Sequence, residues 1–123
     1  MKPEKKVVLW SQPIITGRSI GNDLKNGMGS LMVANIGKRS IEVHHEFFDS
    51  EGASLASGYN TVAPGKVAVT NCLNATVDSR KYMYCKLWFN GSKREIRASL
   101  IMSTVEGPPG SETETPVYGM TLS

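Results

Sequence analysis

Glycine and proline interrupt this chain so often that a helix of ordinary length has nowhere to sit. Gly17, Gly21, Gly27, Gly29, Gly37, Gly52, Gly58, Pro64-Gly65, Gly91 and Gly107-Pro108-Pro109-Gly110 leave segments of about five to eleven residues, the spacing of short strands in an all-β sandwich or barrel. The one stretch with some helix-forming residues, Ile20 to Met28, contains Gly21, Asn22, Asp23, Asn26 and Gly27 and reads as a loop.

Between the breakers the β-branched and aromatic runs predict seven strands: Lys6 to Ile15, broken at Pro13, then Ser30 to Ile36, Ser40 to Phe48, Ser54 to Tyr59, Lys66 to Cys72, Lys81 to Phe89 and Glu95 to Ser103. Alternation is clearest in the third, where Ile41, Val43, His45 and Phe47 share a face, and in the seventh, where Ile96, Ala98, Leu100 and Met102 do. Ile41, Val43, Phe47, Leu87, Ile96 and Leu100 are therefore expected to converge between two layers. Hairpin turns are predicted at Gly37-Lys38-Arg39, at Asp49 to Gly52 and at Asn90-Gly91-Ser92, the last because Asn-Gly tolerates the positive φ of a type I′ turn.

With 123 residues, 40% of them hydrophobic and 20% charged, the chain suits one folded domain. Residues 5–103 form the expected sandwich. Residues 104–115 read as a linker, with two adjacent prolines and no apolar periodicity, and residues 116–123 as a strand-like tail that either folds back as an eighth strand or joins a neighbouring molecule. The formal charge of +3 is too mild to imply nucleic acid or an anionic membrane from the total alone. No apolar run approaches the roughly 20 residues of a membrane span. The basic start, Met1 to Lys6, lacks the apolar stretch that follows a signal n-region, so no signal peptide is expected in this chain and its localisation stays open.

Val33-Ala34-Asn35-Ile36-Gly37, Phe48-Asp49-Ser50-Glu51-Gly52 and Val62-Ala63-Pro64-Gly65 together resemble the immunoglobulin-like and fibronectin-type-III-like sandwich domains of bacterial and phage surface proteins. In those domains an Asn-x-Gly closes the second strand, an Asp-x-x-Gly turn follows the third and a Pro-Gly precedes the fifth. The resemblance spans about residues 29–103 and implies an immunoglobulin-like fold and a surface or virion setting. Cys72 and Cys85, thirteen positions apart, and the absence of a tryptophan on the third strand depart from the antibody type. The two cysteines leave two alternatives open, a disulfide or a pair of buried thiols.

Candidate chemistry is sparse. There is no Gly-x-Ser-x-Gly elbow, phosphate-binding loop or Cys-x-x-Cys, so neither an enzyme nor a cofactor is expected. His44 and His45 face opposite sides of a strand, His45 as a neutral core histidine. His44 with Glu42 and Glu46 is the one trio for a metal-dependent enzyme, against the plainer reading of a solvated face. Asp23, Asp49, Glu51 and Asp78 gather at one end without the ligand spacing of a calcium loop.

Two surfaces remain for binding. The outward residues Tyr82, Tyr84, Lys86 and Trp88 form an aromatic and cationic stripe, expected to be flanked by Arg97 and by His44 and Glu46, for a protein partner or a sugar ring. Lys38, Arg39, Lys93 and Arg94 are expected at one loop tip, suited to an anionic glycan and less so to nucleic acid. The leading expectation is a non-catalytic structural or protein-binding module, docking or self-associating through a sheet face or the C-terminal strand.

Overall fold

The computed structural model describes residues 5–15, 17–20, 23–73, 82–106 and 113–123. Ten strands are seen among the described residues: β1 (Lys6–Trp10), β2 (Ile14–Ile15), β3 (Gly17–Ile20), β4 (Asp23–Asn35), β5 (Ile41–Asp49), β6 (Ser54–Val62), β7 (Val67–Leu73), β8 (Tyr82–Asn90), β9 (Ile96–Glu106) and β10 (Thr113–Thr121). They make two antiparallel sheets. The first runs β1-β8-β5-β6, with β2 also on β8; the second runs β10-β9-β4-β3, with β7 also on β4. The protein is an all-β sandwich.

The alternating residues fill the space between the layers. Ile41, Val43, Phe47, Leu87, Ile96 and Leu100 are all buried, joined by Leu31, Val33, Met83 and Phe89. Hydrophobic burial, at about 25 cal/mol per Å2 of apolar surface, is what binds the two sheets. The break at Pro13 is present: Ser11 bulges between β1 and β2, and its backbone N–H and hydroxyl take over the ladder, donating to Cys85 O and accepting from Cys85 N.

Where local turn chemistry alone was read, the topology differs. Of the stretch read as a loop, Ile20 ends β3 and Asp23 to Met28 begin β4, which pairs with β3 and then with β9; Gly21 and Asn22 lie outside the described residues. Glycine in a strand marks close approach, and Gly29 shows it: a Cβ there would overlap Met83 Sδ. Asn90-Gly91 does not close a hairpin either. β8 pairs with β1 and β5 while β9 pairs with β4 and β10, so the chain crosses between sheets through a 3-10 turn, Lys93–Glu95, capped by Ser92. Gly91 has φ of 152°, whereas no described non-glycine residue has positive φ, so Asn90 does not enter a type I′ turn. The antibody-type order, with the last strand beside β8, is thereby replaced by one in which β9 lies beside β4.

The β4–β5 connection is likewise a crossover, not a hairpin. Asn35, fully buried, holds it: Nδ2 donates to Arg39 O and to Val62 O, both at 2.7 Å, and Oδ1 accepts from Gly37 N at 2.9 Å. The predicted turn at Asp49 to Gly52 does close a hairpin, β5 to β6.

At both ends the segment read as a linker is strand, because β9 runs to Glu106 and β10 starts at Thr113, while residues 107–112 lie outside the described residues. The tail folds back onto its own chain, pairing with β9 from Thr113↔Glu106 to Thr121↔Ser99. Leu122 is buried, and Ser123 exchanges two backbone hydrogen bonds with Trp10, at 2.9 and 3.0 Å, which ties the tail to the first sheet.

Candidate docking face and basic tip

β8 sits between β1 and β5, so its outward side chains are flanked by those of both neighbours. The register sets Val8, Trp88, His44 and Tyr59 in one row, and Trp10, Lys86, Glu46 and Ser57 in the next, followed by Tyr84 beside Phe48. Cross-strand neighbours on one face lie close enough for rings to touch. Phe48 and Tyr84 stack at 5.1 Å between centroids, and Trp10 lies 6.3 Å from each. His44 stacks on Trp88 at 5.5 Å and lies 5.6 Å from Tyr59.

Two lysines stand over these rings. Lys86 Nζ is 5.4 Å from the Trp10 ring and 5.1 Å from Trp88, and Lys6 Nζ is 5.8 Å from Trp88. Each such contact stabilises by about 0.5–1 kcal/mol at an exposed site. The aliphatic stems cover ring edges while the ammonium groups stay in water. Much aromatic surface is still open: Trp10 is 45% exposed, Tyr82 43% and Tyr59 60%.

Tyr82, Tyr84, Lys86 and Trp88 thus share this face, but Arg97 does not flank them. It lies on β9 in the other sheet, paired with Ala34, its guanidinium donating to Lys93 O and Ile96 O. The expected neighbourhood assumed that β9 follows β8 in one sheet. Trp10, Phe48, Tyr59 and Lys6 join the stripe without having been singled out from the sequence. For Trp10 and Phe48 the signal was available, because both fall on the polar side of an alternating strand where a large ring is out of place.

The metal trio does not gather. His44 Nε2 lies 3.3 Å from Glu42 Oε2, while Glu46 lies opposite Lys86 in the register. Among the described residues no three His, Cys, Asp or Glu side chains converge. Asp78 lies outside the described residues, as does the side chain of Asp23, and Asp49 is engaged in its own turn, Oδ1 accepting from Glu51 N and Ala53 N at 2.9 Å.

His45 is buried against Phe47 and Gly58, and desolvation, then the neighbouring His44, lowers its pKa. Cys72 and Cys85 are free, buried thiols on β7 and β8, strands of opposite sheets. Burial pushes Cys85 up to about 12, with Cys72 adding to the shift, so neither has thiolate character near neutrality.

At the crossover end, Lys38 and Arg39 come from the β4–β5 connection and Lys93 and Arg94 from the 3-10 turn. Arg39 is engaged: Nε lies 3.1 Å from Glu95 Oε2 and Nη2 donates to Asn90 O at 2.8 Å. That partnership and the Ser92 N–H hold the Glu95 carboxyl below its ordinary value. Lys38, Lys93 and Arg94 are exposed. Lys5 and Lys6 extend the cationic surface, lining with Lys93 and Gly91 a groove of about 420 Å3. A second groove, of about 330 Å3, joins this tip to the aromatic face and is lined by Lys6, Arg39, Glu42, His44 and Trp88.

No protein-family model matches the chain, and no curated protein matches it. Among solved structures, the crystal structure of Thermotoga maritima 1070 is similar over 98% of this chain and 96% of that one, with 12% identity and a TM-score of 0.46, too distant a likeness to carry an argument.

Proposed function

We propose that this protein is a non-catalytic docking module, of the kind built into surface or virion assemblies, and that it takes a protein partner on the outer face of β1, β8, β5 and β6. The observation that carries this reading is the continuous array of Trp10, Phe48, Tyr84, Trp88, His44 and Tyr59, with Lys6 and Lys86 over the rings. Tryptophan and tyrosine dominate the buried centres of protein interfaces, and leaving such rings in water forfeits their burial energy. The chemistry of the remaining groups supports a non-catalytic role: both thiols are buried with raised pKa, and His44 is spent on Glu42 and Trp88.

The chain has two tryptophans, Trp10 and Trp88, and both lie on this face. Their fluorescence therefore reads docking directly. A partner captured from the source cells should quench or blue-shift the emission of the parent, and Trp10→Ser with Trp88→Ser should abolish capture while leaving the circular-dichroism spectrum in place. Capture that survives both substitutions removes the reading.

A second reading rests on the tip, where Lys38, Lys93 and Arg94 are exposed beside Lys5 and Lys6. Clustered cations focus the local field on anions, and an anionic glycan is the ligand class that fits. Salt-sensitive retention on heparin, lost when Lys38, Lys93 and Arg94 become Ser, is its mark; equal retention by variant and parent excludes it.

A further inference from the structure

We infer that β6 pairs edge to edge with the β6 of a second copy of this chain, antiparallel about a twofold axis, so that the first sheets of two molecules become one. β6 ends its sheet: it pairs with β5 on one side, and no described strand pairs with it on the other. Its free N–H and C=O groups are a template for another strand, and proteins usually guard such edges with charge, proline or bulges on the edge strand. β6 has one such guard, a register shift at Leu55, where Phe47 pairs with Ala56 and Phe48 with Ser54. Ser54 to Val62 holds neither a charged residue nor a proline, and from Ser54 to Leu73 the one charged residue is Lys66, in a chain with 14 Lys and Arg and 11 Asp and Glu.

This is surface, not core. Ser54, Leu55, Ala56, Ser57, Tyr59 and Thr61 are exposed, and β7, whose Thr70 hydroxyl meets Asn60 Nδ2 at 2.9 Å, continues the uncharged flank with Val67 58% and Val69 53% exposed. An exposed flank without charge has the composition of an interface centre.

Two features select a second copy as the occupant. Self-pairing across a twofold axis sets the residues nearest the axis beside their own copies, so a charge there would meet a like charge, a cost that a charge-free strand avoids. The ends of β6 are also oppositely charged. Its start adjoins Asp49 and Glu51 in the hairpin, whereas just past its end stands Lys66, joined by backbone hydrogen bonds to Ala63 and Asn35; the nearest acid at that end, Glu42, lies opposite Thr61 on the inner strand β5. Antiparallel pairing brings the acidic end of one copy to the basic end of the other, twice.

Sedimentation velocity of the full chain from about 1 to 200 μM should show a concentration-dependent dimer. Leu55→Lys and Ser57→Lys, exposed and therefore neutral to folding, should each weaken it at least tenfold, whereas Lys93→Ser should leave it intact. Amide exchange over residues 54–62 should slow as concentration rises. A monomer at every concentration overturns the inference, and so does a dimer that tolerates both edge lysines or that dissolves with Trp88→Ser.

Discussion

Among the described connections, the two ends of this sandwich join strands by opposite means. At one end the β5–β6 turn joins neighbours in the same sheet, and its backbone is satisfied locally by the Asp49 carboxylate and by the ladder that starts at once on either side. At the other end the β4–β5 and β8–β9 connections each leave one sheet for the other. Some of their backbone groups find distant backbone partners, as Ile36 N does in Glu95 O and Gly91 N in Lys5 O, and buried or bridging side chains serve others: Asn35 for Gly37, Arg39 and Val62, Arg39 for Asn90, and Glu95 for Ser92. A hairpin needs turn residues; a crossover needs long-range hydrogen bonds, because every buried polar group must find a partner.

That contrast is broken most directly at Asn35. Asn35→Ala leaves three backbone groups at a buried junction without their partner, and a loss of about 3 kcal/mol or more is expected, read as a lowered urea midpoint. At the hairpin, Asp49→Ala removes two local bonds that water can replace, and about 1 kcal/mol is expected. Equal costs at the two sites would show that the ends are held alike.

The smallest effect lies in the pH dependence of the tip. Glu95 titrates below its ordinary value because Arg39 and the Ser92 N–H favour its ionised form. Its contribution is full above the unfolded value of about 4.3 and is lost as pH falls through the folded one. For an exposed pair it is worth under about 1 kcal/mol. Urea midpoints of the parent and of Glu95→Gln should therefore differ at pH 7 and converge in acid, below the folded pKa; a gap that persists there would mean that shape, not charge, holds the tip.

The stripe on β8 was half legible in advance. Alternation placed Tyr82, Tyr84, Lys86 and Trp88 outward, since that depends only on the period of an extended chain. Who stands beside them was legible only in part: His44 and Glu46 were expected and do flank Trp88 and Lys86. Arg97 was expected and Trp10 was not, because Asn90-Gly91 looks like a hairpin and nothing local reveals that β8 takes β1 for a neighbour. Likewise Gly27 and Gly29 resemble loop residues until Met83 is seen to fill the place of a side chain at Gly29.

What the amino-acid order alone determines here is local: short extended segments, the inward and outward faces of each, the hairpin at Asp49 to Gly52, and the absence of charge between Ser54 and Val62. Which sheet each strand joins, where the tail goes, and that Cys72 and Cys85 face in from opposite layers were decided only by the tertiary structure. Strand pairing is a contest among distant partners, settled by total apolar burial and complete hydrogen bonding across both layers, and no window of neighbouring residues contains those terms.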